Sequence, residues 1–499
     1  MQYKSTRNNS ISLTSAKAIK QGLSTEGGLF VPESIPQISL DEIIDMQNMN
    51  YRERAEFILS RYLTDFTKEE VSHCVNSAYT KEKFETDNIA PVYKLNDSTY
   101  FLELWHGPTC AFKDMALQIL PHLLTTSMKK TDESDEVVIL VATSGDTGKA
   151  ALEGFRDVPG TRIIVFYPDN GVSEIQKLQM ITQEGNNVSV CAVKGNFDDA
   201  QNGVKRIFTD DEYKNILAAN HFKLSSANSI NWGRLVPQIV YYFSAYADML
   251  AAGEIKAGEK INIVVPTGNF GNILASYYAF MMGLPVNRFI CASNKNNVLT
   301  DFINTGVYNR KRDFHTTISP SMDILISSNL ERFLYHISGG DDSFTADIMA
   351  KLANDGVYEV PEDIKNKIKA LFSGGCCDDE ATMKAIKACR EEYGYVIDTH
   401  TAVAKSVYDK YVEETKDTTK TVIASTASPF KFNQSVLIAL DGSGAVAGKD
   451  EFTLLEELSE KSGMKIPKSL AELKNKTKLF ESVCEKMEMV NVVSDFLQI

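Results

Sequence analysis

From residue 135 onward the chain repeats one pattern: a short apolar run rich in β-branched residues, then a turn, then a helical pattern. The pattern or its apolar run is found in DEVVILVATSGDTGKAALEGF, TRIIVFYP, NVSVCAVKGNFDDAQNGVKRIF, INIVVPTGNFGNILASYYAF, NRFICASN, and TVIASTASP with KFNQSVLIAL. Apolar runs without strict alternation, separated by helices, are typical of parallel strands that are covered on both faces. The sequence therefore predicts an α/β fold with doubly wound parallel sheets.

The two ends of the chain have a different character. The first ninety or so residues are mixed and mostly helical, as in DEIIDMQNMNYRERAEFILSRYL, where apolar residues recur at helical spacing. The last fifty residues or so, beginning FTLLEELSEKSG, are charged and amphipathic. We expect this segment to form a helical tail that packs on the body of the protein.

Composition narrows the class of partner. The chain has 499 residues, 43% of them hydrophobic, which is enough for a large core and for two or three structural units. A net charge of −14 argues against nucleic acid or an anionic membrane as partner. The N-terminus lacks the apolar core of a secretory signal, and no apolar stretch is long enough to span a bilayer. We therefore expect a cytoplasmic metabolic protein.

Cysteine and histidine are dispersed along the sequence. The 8 cysteines include no CxxC pair, and the 7 histidines include no HExxH motif. We expect no metal site, and we expect the cysteines to be small, reduced and mostly buried residues.

Three segments follow predicted strands, at the edge where open α/β sheets bind ligands: TSGDTG (143–148), TGNFGN (267–272) and STASP (425–429). The first two can direct hydroxyls and amides at an anion, although any one of them is equally consistent with a tight turn that binds nothing. Neither glycine loop fits GxGxxG or GxxxxGK[ST], which disfavours a dinucleotide or a nucleoside triphosphate. Two such cradles suggest a ligand that carries its own phosphate together with a second anionic group.

Lys113 lies in HGPTCAFKD (106–114), where a helix begins. A lysine at a helix start works against the helix dipole, so Lys113 is either simply solvated or kept there for its chemistry. The apolar residues around it favour burial, which lowers the pKa of an amine and favours its neutral, nucleophilic form. Such an amine condenses with a carbonyl to give a Schiff base. The amine and the two anion cradles together suggest pyridoxal phosphate with an amino-acid substrate.

Several motifs resemble those of one family in their order and spacing: HGPTCAFKD, TSGDTG, SANSIN, PTGNFGN, THTAVA and STASPFKF. The chain resembles the threonine synthases, which are pyridoxal-phosphate enzymes of fold type II, over roughly residues 5–440. GLSTEGGLFVP resembles the N-terminal signature of that family. The SGDTG loop resembles the corresponding loop of the branch with longer chains, which is found in bacteria and fungi. The resemblance implies conversion of O-phospho-L-homoserine and water to L-threonine and phosphate, through γ-elimination and β-replacement.

The resemblance also implies roles for individual residues. Lys113 would bind the cofactor aldehyde and then move protons. Thr426 would face the pyridine nitrogen. The cofactor phosphate would be held by Gly268, Asn269, Phe270, Gly271 and Asn272. The substrate carboxylate would be held by Ser144, Gly145, Asp146 and Thr147, and the substrate phosphate by Asn228, Ser229 and Arg234.

Three other side chains carry expectations. Asp146 stands where many fold-type-II enzymes have an asparagine that contacts the cofactor, so we expect it to be protonated or turned away. Lys149 is expected to be a solvated helix lysine, and His106 a hydrogen-bonded structural residue of the HGPT turn.

The resemblance implies two lobes with these boundaries: an N-terminal domain over 1–92, a large cofactor-binding domain over 93–132 and 225–450, a small domain over 133–224, and the tail over 451–499. A monomer is favoured over a homodimer. The alternatives are another fold-type-II lyase, such as a serine/threonine dehydratase or a phosphoamino-acid phospho-lyase, and a non-catalytic cofactor-binding paralogue. A dehydratase would have no use for a second phosphate site at Arg234.

Overall fold

The structure is a computed structural model that describes residues 1–143, 145–169 and 172–499, except for the side chain of Asp198. Two sheets organise it, one of 6 strands and one of 5, and a 3-stranded and a 2-stranded sheet complete the strand pairing in the described ranges. The α/β class with parallel sheets in two lobes is confirmed.

The N-terminal region combines a small antiparallel sheet with helices. Its strands pair in the order β2-β1-β3. The elements are β1 (Tyr3–Ser5), β2 (Asn8–Leu13), α1 (Ser15–Gln21), β3 (Phe30–Pro32), α2 (Leu40–Asp45), α3 (Tyr51–Tyr62) and α4 (Lys68–Ala78).

The next four elements come before the 5-stranded sheet, here called the small sheet, and their two strands belong to the 6-stranded, large sheet. They are β4 (Val92–Lys94), β5 (Thr99–Glu103), α5 (Asp114–Leu117) and α6 (Leu120–Lys130). The small sheet is built next, from β6 (Glu136–Ala142), α7 (Asp146–Phe155), β7 (Thr161–Pro168), α8 (Glu174–Ile181), β8 (Val188–Lys194), α9 (Phe197–Thr209), α10 (Asp211–Ala219) and β9 (Phe222–Ser225). All its strand pairs are parallel, as the uninterrupted apolar runs predict.

The large sheet takes its remaining strands from the following segment. Its elements are α11 (Trp232–Ala251), β10 (Ile261–Pro266), α12 (Gly271–Met281), β11 (Val286–Ser293), α13 (Val298–Thr305), β12 (Val307–Asn309), α14 (Leu330–Ile337), α15 (Asp342–Asn354), β13 (Val357–Glu359), α16 (Glu362–Leu371), β14 (Phe372–Cys376), α17 (Asp379–Tyr393), α18 (Thr399–Thr415), β15 (Thr421–Ser425) and α19 (Asn433–Asp441). The strand order is β14-β11-β10-β15-β5-β4, and only the β4–β5 pair is antiparallel.

The tail contains a strand as well as the predicted helices. Its elements are α20 (Glu451–Ser462), α21 (Lys468–Ala471), β16 (Val483–Glu485) and α22 (Met489–Leu497). Strand β16 pairs parallel with β8 and extends the small sheet. Val493 and Leu497 of α22 are buried in the hydrophobic core that includes residues of β6, β7 and β8. A strand of 3 residues, two of them exposed, carries too short an apolar pattern to be recognised in the sequence.

The sheet order brings the predicted ligand loops to adjoining strand ends. Strands β10 and β15 are neighbours, and β5 lies on the other side of β15. The TGNFGN, STASP and HGPTCAFKD segments follow these three strands. None of the helices in the described ranges is long and apolar enough to cross a membrane.

Helix α7, which carries the SGDTG loop, packs against α5, which begins after Lys113. A Cβ atom on Gly154 of α7 would clash with the carbonyl oxygen of Leu117 in α5. This close approach fixes the SGDTG loop and Lys113 relative to each other.

Gly154→Ala is therefore expected to destabilise the protein by about 1–3 kcal/mol, because the backbone of one helix must move. Helix propensity alone predicts a gain of about 1 kcal/mol, so the sign of the change tests the contact. The measurement is the midpoint of urea unfolding. Gly444→Ala is the control, since no described atom beyond the adjoining residues lies within 4 Å of a methyl group on Gly444, and it should change stability by less than about 0.5 kcal/mol. An unchanged midpoint for Gly154→Ala would contradict the argument.

Candidate active site

The loop that carries Lys113 is fastened to the STASP segment by backbone hydrogen bonds. The amide of Phe112 donates to the carbonyl of Thr426 at 2.8 Å, and the amide of Ser428 donates to the carbonyl of Cys110 at 3.0 Å. Thr426 itself is buried at the carboxyl end of β15. The structure thus places the two motifs side by side although more than three hundred residues separate them in sequence.

The carboxylate of Asp114 stabilises the same loop by accepting hydrogen bonds from Thr109. Its two carboxylate oxygens accept from the amide and the hydroxyl of Thr109, both at 2.8 Å. Burial raises the pKa of Asp114 to about 6, against these two hydrogen bonds, which lower it. A methyl group on Gly107 would lie only 2.6 Å from this carboxylate, so the turn needs glycine there. Asp114 therefore shapes the loop that presents Lys113.

The Lys113 side chain is buried, as the sequence predicts, with only 9% of the residue exposed. Its Nζ donates to the hydroxyl of Ser321 at 3.2 Å and lies 3.8 Å from Oδ2 of Asp146. Burial lowers the pKa of Lys113 to about 8, helped by the charges of Lys431 and Arg234 and opposed by Asp146. An amine with this pKa is available as a base and a nucleophile near neutral pH.

Asp146 is not protonated, which excludes one of the two states expected for it, and its carboxylate lies between two lysines. Its Oδ1 lies 2.7 Å from Nζ of Lys431, and Gln176 donates to the same oxygen at 2.9 Å. Burial alone would raise the pKa of this carboxyl, but Lys431 and Lys113 outweigh it and hold the pKa well below its usual range. Asp146 is thus an ionised carboxylate shared between two lysines.

The helices α7 and α12 both begin without a side-chain cap. At α12, none of the five amides from Gly268 to Asn272 donates to another described atom. Phe270 has a φ of 59°, which curls this backbone, and a methyl group on Gly268 would lie 2.7 Å from the carbonyl oxygen of Ser321. At α7, the amides of Asp146 and Thr147 are free in the same sense, and Gly145 has a φ of 137°. Both helix starts can bind anions.

Arg234 is buried with its charge largely uncompensated by the described residues. Its Nη1 donates to the carbonyl of Ala227 at 2.8 Å, and its Nε has no acceptor among those residues. Burial lowers the pKa of this guanidinium to about 10. A buried guanidinium with a free N–H is costly unless an anion satisfies it. Nδ2 of Asn272 is likewise buried without an acceptor in the described part of the chain.

The other predicted residues differ in placement. Asn228 is exposed and Ser229 half-buried in the turn before α11, where Nδ2 of Asn329 donates to the Ser229 carbonyl at 3.2 Å. Asn269 is exposed, and its carbonyl accepts from the amide of Asn329 at 3.1 Å. Ser144, a predicted carboxylate-binding residue, lies outside the described residues.

Lys149 is not a solvated lysine. It is buried in α7, where its Nζ donates to Glu153 at 3.0 Å and also to Gln183. Burial lowers its pKa, against the carboxylate of Glu153. His106 hydrogen-bonds through Nε2 to Glu103 at 2.7 Å, in line with the structural role expected for it.

Sequence reasoning missed Lys431, Ser321 and Asn329. Lys431 stands in the STASPFKF motif, and its position between Phe430 and Phe432 was the available signal of burial. Ser321 and Asn329 lie in a stretch without regular periodicity, and only the folded chain brings them to the glycine loop. No group of three histidine, cysteine or acidic side chains among the described residues is arranged to hold a metal ion.

The arrangement is suited to one kind of chemistry. A buried amine of lowered pKa lies between two helix starts whose amides can receive anions, and a buried guanidinium lies close enough to influence its pKa. Such a site can bind a carbonyl compound covalently and hold two anionic groups around it.

Comparison with known families agrees with this description. "Threonine synthase N terminus" matches residues 2–79, "Pyridoxal-phosphate dependent enzyme" residues 86–362, and "Threonine synthase, C-terminal" residues 401–493. Human threonine synthase-like 1 is 41% identical over 435 residues, which cover 85% of this chain and 58% of the human protein. The chain thus spans a little over half the length of that relative.

Two further proteins are similar over nearly their whole length. The threonine synthase of Methylobacillus glycogenes is 37% identical over 88% of this chain and 92% of its own. The crystal structure of threonine synthase from Brucella melitensis superposes with a TM-score of 0.88 at 33% identity, covering 100% of this chain and 99% of that one. The resemblance expected from the motifs is confirmed, and the chain belongs to the threonine synthase family of pyridoxal-phosphate dependent enzymes.

Proposed function

We propose that the protein is a threonine synthase, a pyridoxal-phosphate dependent lyase that converts O-phospho-L-homoserine and water to L-threonine and phosphate. The observation that carries the proposal is that the site contains two buried basic side chains. One is the amine of Lys113, and the other is the guanidinium of Arg234, which lacks a carboxylate partner among the described residues. A substrate with a phosphate on its side chain gives Arg234 an anion to bind. A substrate without one would leave it unpaired.

The residues present fit pyridoxal phosphate. The free amides from Gly268 to Asn272 would hold its phosphate, and the buried amine of Lys113 would bind its aldehyde. Thr426, buried beside the Lys113 loop, would face the ring nitrogen with a hydroxyl. When bound, the cofactor supplies an electron sink for the negative charge that develops when protons leave the substrate carbons.

The chain's own groups would do the remaining work. The amides of Asp146 and Thr147 would orient the substrate carboxylate, with Ser144 and Gly145 in the same loop. Arg234, with Asn228 and Ser229 at the turn before it, would hold the substrate phosphate as it leaves. Lys113, released by the incoming substrate amine, would carry protons to and from the substrate carbons. Cytoplasmic location and a monomeric state stay predictions of the sequence.

The test is a product assay on the purified holoenzyme with O-phospho-L-homoserine. We expect threonine and phosphate in equal amounts, together with visible absorbance that is lost on borohydride reduction. L-Serine, L-threonine and O-phospho-L-serine serve as comparison substrates. Faster turnover of serine or threonine, with a 2-oxo acid as product, would identify a dehydratase, and a colourless protein without a cofactor adduct would identify a non-catalytic paralogue.

A further inference from the structure

Lys431 is a second buried lysine at the active site, beside the groups that would bind cofactor and substrate. It is 1% exposed and follows the STASP segment in a short 3₁₀ helix, Pro429–Phe432. Its Nζ contacts Oδ1 of Asp146 at 2.7 Å and the carbonyl oxygen of Thr109 at 2.9 Å. It therefore joins the STASP, SGDTG and HGPTCAFKD motifs.

The two lysines do not share the carboxylate of Asp146 equally. Lys431 takes Oδ1 of Asp146 at hydrogen-bonding distance, whereas Lys113 lies 3.8 Å from Oδ2. Without Lys431, the single negative charge would act on Lys113 alone and favour its ammonium form. With Lys431 in place, two ammonium groups compete for one carboxylate, and the closer one holds it.

We propose that Lys431 is a positioning residue that holds one oxygen of Asp146 and so leaves the Lys113 amine free to release its proton. The role rests on the proposed function, in which Lys113 carries protons. It also explains how an aspartate can stand in the SGDTG loop: Lys431 neutralises it there.

The charged groups around Lys113 come from several elements. Those that influence its pKa are Asp146, Lys431, Arg234 and Asp114. His400 lies one contact further away, where its Nε2 accepts from the amide of Ser321 at 3.2 Å while its Nδ1 lies 3.1 Å from Asp398. Both ring nitrogens of this histidine are therefore engaged, and Nε2 acts as a hydrogen-bond acceptor.

The test measures the protonation of Lys113 directly. The full-length chain, freed of cofactor, is labelled with a trace of acetic anhydride at a series of pH values, and modification of the Lys113 peptide is followed by mass spectrometry. In wild type we expect a midpoint near the pKa of about 8. In Lys431→Met we expect it to rise by roughly one unit or more, the effect of one charge within about 4–6 Å. In the holoenzyme the acid limb of the kcat profile should move to higher pH by the same amount.

Two variants and a control make the result decisive. Asp146→Asn removes the carboxylate and should lower the Lys113 midpoint, a shift opposite to that expected for Lys431→Met. Lys431→Arg keeps the positive charge and should leave the midpoint near wild type. Lys405→Met is the matched control, because Lys405 is also buried and paired with one carboxylate, Asp409, at 2.7 Å. It should leave the midpoint unchanged.

An unchanged or lowered midpoint of Lys113 labelling in Lys431→Met would overturn the proposal. If Lys431→Met fails to fold, an unchanged or raised midpoint in Asp146→Asn would overturn it. The labelling needs no turnover, so a failure of the proposed function would appear in the product assay alone.

Discussion

Replacing Lys113 by alanine is expected to lower turnover of O-phospho-L-homoserine by at least about 10⁴-fold. The amine is proposed to hold the cofactor and to carry protons, and proton transfer by a positioned group alone contributes about 10²–10⁴-fold. The neighbouring amine of Lys431 cannot replace it, because Asp146 and the Thr109 carbonyl hold that group at 2.7 and 2.9 Å. Phosphate release in single-turnover and steady-state assays gives the measurement.

The matched control is Lys149→Met, which removes another buried lysine from a neighbouring helix. The Lys149 side chain hydrogen-bonds to Glu153 and Gln183 and to none of the described site residues, so turnover per folded molecule should stay near wild type while stability falls. Borohydride reduction of the wild-type holoenzyme should place the cofactor mass on the Lys113 peptide. Turnover by Lys113→Ala within tenfold of wild type, or an adduct on another lysine, would remove Lys113 from its proposed role.

Much of the fold could be predicted because its signals are local. The central parallel strands are apolar runs, and the two glycine loops directly follow such runs, as at Gly268 after β10. The predicted burial of Lys113 followed from its immediate neighbours in sequence. These features depend on residues within a few positions of one another, which is the range over which pattern and propensity act.

The features that escaped prediction depend on contacts between distant segments. The ionised state of Asp146 requires Lys431, which lies in another motif at the end of another strand. The burial of Lys149 follows from the packing of α7 and α8, where Gln183 follows the end of α8. Strand β16 forms because its three residues pair with β8 at the edge of the small sheet. A side chain's protonation state and burial are therefore set by tertiary contacts that no local pattern contains.

Arg234→Met is expected to lower kcat/KM for O-phospho-L-homoserine by roughly ten- to a hundredfold or more. Hydrogen bonds to charged groups contribute about 1.5–3 kcal/mol each, and each 1.4 kcal/mol corresponds to a factor of about ten. The Nε of Arg234 is buried without an acceptor among the described residues, so an N–H is available for the substrate phosphate. Methionine keeps much of the volume and removes the charge, and since the guanidinium has no carboxylate partner in this part of the chain, no buried anion is left unpaired.

The measurement is steady-state kinetics with inorganic phosphate as a competing anion. Wild type should be inhibited competitively by phosphate, and Arg234→Met should lose most of that inhibition while its cofactor absorbance stays unchanged, because the cofactor phosphate is assigned to the amides of Gly268 to Asn272. Arg234→Lys, which keeps the charge but lacks the paired donors of the guanidinium, should fall between the two. An unchanged KM and undiminished phosphate inhibition in Arg234→Met would place the substrate phosphate elsewhere and leave the cofactor assignment intact. Loss of cofactor absorbance would instead show that Arg234 serves the cofactor phosphate, so the two anion sites are distinguished by one variant.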